Sequence, residues 1–211
     1  VSAEYHSSVR RDIVPLVPRA ERLLDVGGGT GATAKFLKRE GYAREIGVMD
    51  AVAPSDDREI DFHSRADLND PSAIDSFFEE AGPFDTILLL DVLEHLVDPW
   101  TIVKSFAKHV PEDGVMVASI PNVRHHSVTA NLLFRNRWTY TDSGLLDRTH
   151  LRFFVRETAI DLMTLPGFRI EEVANSPISG RSKQFLNAAT FGALRSFLTL
   201  QYFIRIRKVS A

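Results

Sequence analysis

The stretch Leu23-Leu24-Asp25-Val26-Gly27-Gly28-Gly29-Thr30-Gly31 puts four glycines in five positions, just after an apolar run and an acid. Glycine there lets a ligand approach the backbone and permits turn dihedrals that side chains forbid. Two ligands compete for such a loop. Gly27-x-Gly29-x-x-Ala32 fits a relaxed dinucleotide fingerprint, and Asp50 lies about where a ribose-binding acid belongs. The glycines alone leave the choice open. Asp25, two residues before the first glycine, adds a carboxylate beside the loop. That charge repels a pyrophosphate and suits a cofactor that carries an ammonium and a cationic sulfur. A second cluster, Asp91-Val92-Leu93-Glu94-His95-Leu96, follows the most apolar run of the chain. Ligands of open α/β sheets bind at the carboxyl ends of strands, so this cluster belongs to the same site if the fold is of that kind.

The elements needed to position these residues are legible. Short β-rich runs alternate with helical patterns, which indicates parallel βαβ units. Strands are expected at Arg22–Val26, Glu45–Met49, Ile60–Ser64, Phe84–Leu90 and Val115–Ile120. Helices are expected at Ala32–Arg39, Ser72–Phe78 and Trp100–His109, the last two entered through Asp70-Pro71 and Asp98-Pro99. Asn122–His150 is polar, aromatic and basic, with no strand rhythm, and long connections inside a domain tend to be functional. A helix at Arg156–Leu165, a strand at Phe168–Val173, a helix at Ser182–Ser196 and a closing strand at Leu198–Lys208 complete the expectation. The chain reads as one domain, with a cofactor half at about 20–120 and an acceptor-side insert at about 121–154.

Bulk composition narrows the classes. The 211 residues suffice for one domain with a real core. A net charge of −3 gives no global attraction to nucleic acid, so no nucleic-acid partner is expected. With no cysteine, disulfides, thiolate metal sites and a cysteine nucleophile are excluded. No apolar run reaches the roughly 18 residues of a membrane span. The first residues lack a signal-peptide layout, so the expected compartment is the cytoplasm. The missing initiator Met is read as a trimmed or partial N-terminus.

Asp25-Val26-Gly27-Gly28-Gly29-Thr30-Gly31 resembles the first motif of class I S-adenosylmethionine-dependent methyltransferases, with Gly28 where Cys is frequent. In that family an acid ending the second strand binds both ribose hydroxyls; Asp50 matches, with Ala51 beside it. An acid after the third strand reads the adenine amino group; Asp67 matches, with Leu68 against the ring. The second cluster, preceded by Phe84-Asp85 and followed by Asp98-Pro99, resembles a subfamily that includes ubiquinone-biosynthesis O-methyltransferases. There, groups at Asp91 and Val92 face the methionine end of the cofactor, and the Glu94-His95 pair borders both cofactor and acceptor. The resemblance, over roughly residues 20–175, implies S-adenosyl-L-methionine as cofactor. It also implies a Rossmann-like α/β fold: a seven-stranded, mostly parallel sheet with helices on both faces and a C-terminal antiparallel strand.

Ser119–His126 and Thr141–Phe154 resemble stretches of bacterial methyltransferases of cell-surface glycan and related pathways. The insert is then expected to form the acceptor pocket, with Asn122, Arg124, His126, Arg148 and His150 near the acceptor. Arg124 and Arg148 suit a carboxylate or phosphate. His95 and His150 are the candidate general bases, and Tyr5 and Arg10 are candidates to fold over the methionine carboxylate. His125, His126, Asp142, Asp147 and His150 match no recognised metal-ligand spacing, so no metal is expected. The aromatic and basic tail Phe197–Lys208 reads as the closing strand rather than as a membrane-surface segment. The expected function is methyl transfer to a small-molecule or glycan-type acceptor, at oxygen. Two alternatives stand beside it: a methyltransferase-like, cofactor-binding partner protein with little catalysis, and an NAD-dependent oxidoreductase. A homodimer is open to the chain.

Overall fold

Thr86-Ile87-Leu88-Leu89-Leu90 forms strand β4 with all five residues buried, as befits a central parallel strand covered on both faces. Successive side chains of a strand point to opposite faces. Ile87 and Leu89 accordingly join one apolar cluster, with Phe84, Ile102 and Phe106, while Leu88 and Leu90 join another, with Ile13, Leu37 and Ile46. The computed structural model describes residues 9–53 and 56–210. In it β4 sits at the centre of a seven-stranded sheet of order β3-β2-β1-β4-β5-β7-β6. The other strands are β1 (Ala20–Val26), β2 (Ala43–Met49), β3 (Phe62–Ser64), β5 (Val115–Pro121), β6 (Phe168–Asn175) and β7 (Gln201–Lys208). Strands β3, β2, β1, β4 and β5 pair in parallel. β7 lies antiparallel to both of its neighbours, β5 and β6, so it alone runs against the other six. The expected Rossmann-like architecture is the one observed.

Helices α1 (Ala32–Arg39), α2 (Pro71–Ala81), α3 (Pro99–His109) and α5 (Arg156–Met163) cover the sheet. Their starts follow local chemistry. Asp70 accepts from Ser72 N and Asp98 from Thr101 N, each with Pro at the first helical position. Two expectations need correction. The stretch 122–150 is not wholly irregular, because His126–Arg135 forms helix α4 with only Val128 buried. The helix expected over Ser182–Ser196 is two, α6 (Arg181–Ala189) and α7 (Arg195–Leu198), broken where Phe191 and Gly192 take left-handed dihedrals. The closing strand consequently starts at Gln201 rather than Leu198. Its buried Tyr202, Phe203, Ile204 and Ile206 make it part of the core.

Candidate active site

The glycine loop is seated by contact with the segment after β4. Gly27 has φ +68°, and a Cβ there would stand 2.3 Å from Val92 Cγ2. Its N–H donates to Met49 O at 2.7 Å, which ties the loop to the end of β2. At Gly28 a Cβ would meet the Asp25 carboxyl at 2.6 Å. Asp25 is buried beneath the loop rather than lining the cavity above it. Burial pushes its pKa up to about 7, opposed by the backbone amide of Ala34 in the first turn of α1, where a carboxylate is favoured. Its Oδ2 has no hydrogen-bond partner among the described residues.

A cavity of about 550 Å³ opens over the carboxyl ends of β1, β2 and β4, a size typical of small-molecule sites. Gly27, Asp50, Ala51, Asp67, Leu68, Asp91, Val92 and His95 line it; Asp25, Gly28, Gly29 and Gly31 shape the loop behind. Asp50 is fixed by its surroundings: Oδ2 accepts from Gly29 N and Oδ1 from Val52 N, each at 2.9 Å. Asp67 Oδ1 accepts from Asn69 N at 2.9 Å, and Asn69 Oδ1 accepts from Val97 N at 2.8 Å. That pair of contacts joins the adenine-side acid to the loop after β4. Asn69 and Arg65 also line the cavity and were not among the expected residues. Among the described residues, Asp50, Asp67, Asp91, Asp142 and Asp147 line the wall with one guanidinium, that of Arg65; even with Asp91 paired to Arg10 and Asp142 to Arg148 from behind, the wall keeps an acidic excess. This balance disfavours a dinucleotide pyrophosphate and suits a cationic ligand.

Asp91 sits at the end of β4 with φ +54°, a left-handed conformation uncommon outside glycine. The structure holds it there by bonds from three elements. Its N–H donates to Ser119 O, and Oδ1 accepts from Ser119 Oγ at 3.0 Å and from Gln201 Nε2 at 2.7 Å. Arg10 Nη1 donates to Oδ2, and Arg10 Nη2 donates to Gln201 Oε1 at 3.1 Å. Burial raises the Asp91 pKa, and the Arg10 guanidinium opposes the rise. Arg10 therefore meets the Asp91 carboxylate. Tyr5 lies outside the described residues. Gln201 was missed; its position opening the closing strand was the available signal.

Leu93–His95 is a single 3-10 turn that buries Glu94 and leaves His95 on the cavity wall. His95 Nδ1 lies 3.2 Å from Thr149 O, and His150 Nδ1 lies 3.2 Å from Leu145 O. A carbonyl only accepts, so Nδ1 of each ring is the donor, and in the neutral ring Nε2 is the nitrogen with the lone pair. The two rings meet edge to face at 4.7 Å between centroids. His150 is buried and does not line the cavity; burial and the neighbouring His95 lower its pKa. Its Nε2 is 3.9 Å from Glu94 Oε1. Burial, reinforced by Asp91, raises the Glu94 pKa well above the carboxylate range, and neither oxygen has a hydrogen-bond partner among the described residues. Ligand atoms of Glu94, His95 and His150 all lie within 4.8 Å of one another. Zinc–nitrogen bonds of 2.0–2.1 Å in tetrahedral geometry require about 3.4 Å between ligands, so this trio is looser than a formed zinc site.

The remaining expected acceptor residues fall in two places. Arg148 reaches the cavity rim through Asp142, which accepts from its Nε at 2.8 Å. Asn122, Arg124 and His126 do not line the cavity. Asn122 is buried and donates to Ser196 O and Thr199 O. Arg124 lies over the Phe197 ring at 4.4 Å, and His126 Nδ1 meets Phe197 O at 3.1 Å. These three fasten α7 to the end of β5.

The cavity fits S-adenosyl-L-methionine on its own terms: three successive glycines, Gly27–Gly29, let a ligand close on the loop backbone, and fixed acids stand along one wall. A methyltransferase-domain family model matches residues 3–173. The chain is 26% identical to the ubiquinone biosynthesis O-methyltransferase of Caulobacter sp. (strain K31), over 76% of this chain and 65% of that protein. It thus spans just under two thirds of that relative's length. Its fold is similar to N-methyltransferase NodS from Bradyrhizobium japonicum WM9, solved with S-adenosyl-L-homocysteine, with a TM-score of 0.57 at 16% identity over 98% of this chain and 87% of that one. A SAM-dependent methyltransferase from Archaeoglobus fulgidus gives 0.61 at 17% identity, over 94% and 90%. At such identities the two structures speak for the fold alone. The family match over most of the chain, met by the site geometry, identifies this chain as a member of the class I S-adenosyl-L-methionine-dependent methyltransferases.

Proposed function

We propose that the chain transfers a methyl group to an oxygen of a small-molecule or glycan-type acceptor, with His95 as the general base. The observation that carries this reading is His95 itself: it lines the cavity and is oriented through Nδ1 by Thr149 O, leaving Nε2 with a lone pair. S-adenosyl-L-methionine, when bound, supplies a methyl group already activated on a sulfonium. The residues therefore contribute alignment, which is worth about 7–11 kcal/mol in well-oriented reactions. A base adds roughly 10²–10⁴-fold where the acceptor is a weakly acidic hydroxyl. Asp50, Asp67 and Leu68 hold the adenosyl side, and Asp91 the methionine side. His95 accepts the hydroxyl proton, and His150 packs against its edge as a positioning residue. The O-methyltransferase named among the relatives supports oxygen as the acceptor atom.

The test is label transfer from methyl-labelled S-adenosyl-L-methionine into a panel of phenols, sugars and amines, with wild type, His95→Ala and His150→Ala. Labelled ethers, formed at least a hundredfold more slowly by His95→Ala at unchanged cofactor affinity, are the expected result. If neither substitution slows transfer more than tenfold, the base assignment is wrong. Label in amines alone would move the reaction to nitrogen. Cofactor binding without turnover of any acceptor would favour the partner-protein alternative.

A further inference from the structure

Trp138 and Tyr140 stand in irregular backbone between α4 and the cavity wall, and both rings pack against Phe153. Trp138 meets it edge to face, with 5.1 Å between centroids, and Tyr140 meets it tilted at 6.4 Å. That packing does not use the rings up, for Trp138 stays 39% exposed and Tyr140 44%. Aromatic rings braced from behind and open in front present a stiff apolar face. Ring contacts join this face to the base. Phe153 touches His150 at 6.3 Å, and His150 touches His95 at 4.7 Å. The backbone joins it to the cavity as well. Thr141, directly after Tyr140, donates its N–H to Leu146 O at 2.8 Å and accepts at O from Arg148 N at 3.0 Å. The ribbon closed by these bonds carries Asp142, Ser143 and Asp147 onto the cavity wall. The aromatic face is thus continuous with the end of the cavity where His95 stands.

Two chemical demands meet there. Asp142 and Asp147 bring carboxylate oxygens, which only accept, and Ser143 and Thr149 add hydroxyls on the same wall. Asp142 already takes Arg148 Nε, and Asp147 Oδ1 takes the N–H and the hydroxyl of Thr149. This end therefore calls for hydrogen-bond donors rather than for a full positive charge. Beside it, the negative faces of the aromatic rings attract polarised C–H groups. A sugar ring supplies both at once, a rim of hydroxyl donors and a face of C–H bonds. A phenol has the flat apolar body but few donors. A cationic head group needs ring faces that converge on it, whereas Trp138 and Phe153 stand edge to face against each other. We propose that Trp138 and Tyr140 form an outer saccharide subsite. The acceptor is then a neutral oligosaccharide, with the ring to be methylated in the cavity at His95 and the next ring stacked on the aromatic face. The subsite rests on the reading of O-methyl transfer at His95 and adds to it the class and length of the acceptor.

The test is label transfer from methyl-labelled S-adenosyl-L-methionine to neutral hexoses and deoxyhexoses, as methyl glycosides and as disaccharides, beside phenols and uronic acids. A disaccharide is expected to be labelled with a KM at least tenfold below that of its monosaccharide, at a kcat within threefold. Trp138→Ala with Tyr140→Ala should raise the disaccharide KM at least tenfold and change kcat less than threefold, and Trp138→Phe should retain most of the preference for length. A merely structural role for the two rings would lower kcat and the affinity for S-adenosyl-L-homocysteine instead, and that affinity is expected to stay within twofold. Binding is read separately. Trp100→Phe leaves Trp138 as the one tryptophan, and the disaccharide should shift its emission saturably. Labelling that ignores saccharide length, or a preference for length that survives the double change, overturns the subsite. Ethers formed on phenols alone overturn it too and leave oxygen methylation standing. Label in no acceptor at all overturns the reading of O-methyl transfer, and the emission then decides the subsite: a saturable shift keeps it, and no shift removes it.

Discussion

At the carboxyl ends of β1, β2 and β4 nearly every functional side chain is held by another element. Asp50 is bound by two backbone amides, Asp91 by a serine, a glutamine and an arginine, and His95 by a carbonyl. Across α4, α6 and α7 the opposite holds. Leu133, Phe134, Phe185 and Leu186 are apolar and exposed, and α6 buries no residue. The first region is organised before any ligand arrives, as binding and catalysis demand. The second leaves large apolar side chains in solvent. Substitutions in the first region should therefore act on stability and cofactor affinity, and those in the second on neither.

The largest expected effect concerns the buried acid under the loop. The folded pKa of Asp25, about 7, lies above its ordinary 3.8, so the native state binds the proton more tightly than the unfolded chain. The contribution of Asp25 to stability is then fully present below about pH 4 and is lost as the pH rises through about 7, a change on the order of 4 kcal/mol. Asn cannot ionise, so Asp25→Asn should melt several degrees above wild type at pH 8, with the gap closing toward pH 4. Thermal denaturation at both pH values measures this, and a gap that ignores pH removes the buried charge from the account. Next, Gly27→Ala must relieve both a left-handed φ and the clash with Val92. Calorimetric titration with S-adenosyl-L-homocysteine should show at least a hundredfold loss of affinity. A smaller change would mean that the loop adapts.

Asp50→Ala removes a carboxylate expected to bond the cofactor. Charge-assisted hydrogen bonds contribute about 1.5–3 kcal/mol, so a ten- to hundredfold weaker titration is expected. Unchanged affinity would leave the loop holding a different ligand. The smallest effect belongs to the other region: Phe134→Glu should alter neither the melting temperature by more than about a degree nor the affinity by more than twofold, as befits a surface substitution. A large loss in either would make α4 part of the cofactor half and erase the contrast.

The regular half was legible because burial leaves a periodic trace. β4 reads as an unbroken apolar run since helices cover both of its faces, and α1 was bounded correctly because its glycine start and Gly41 stop are both in the sequence. α4 left no such trace: with Val128 its only buried residue, no apolar period marks it. The break between α6 and α7 was hidden for the same reason, although Phe191-Gly192 was the available sign. At the site, the residues on consecutive strand ends were readable in order. The bond from Arg10 to Gln201 was not, because it joins positions 191 residues apart and no local pattern carries such a contact. Asn122, Arg124 and His126 looked like acceptor ligands because polar and basic residues follow a strand end. Their side chains are instead engaged with the backbone and the Phe197 ring at α7.

The position of β7 between β5 and β6 has a consequence for biogenesis. Among the described residues β6 has no sheet neighbour except β7, so it joins the sheet only once the residues from Gln201 to Lys208 have left the ribosome. Until then β5 is an unpaired edge rich in Val, Met and Ile, the kind of surface that invites pairing with another chain. Gln201, which fastens Asp91, arrives with the same strand. A nascent chain therefore completes its sheet and fastens Asp91 in one event, the arrival of β7, and the β5 edge stays open to other chains until then.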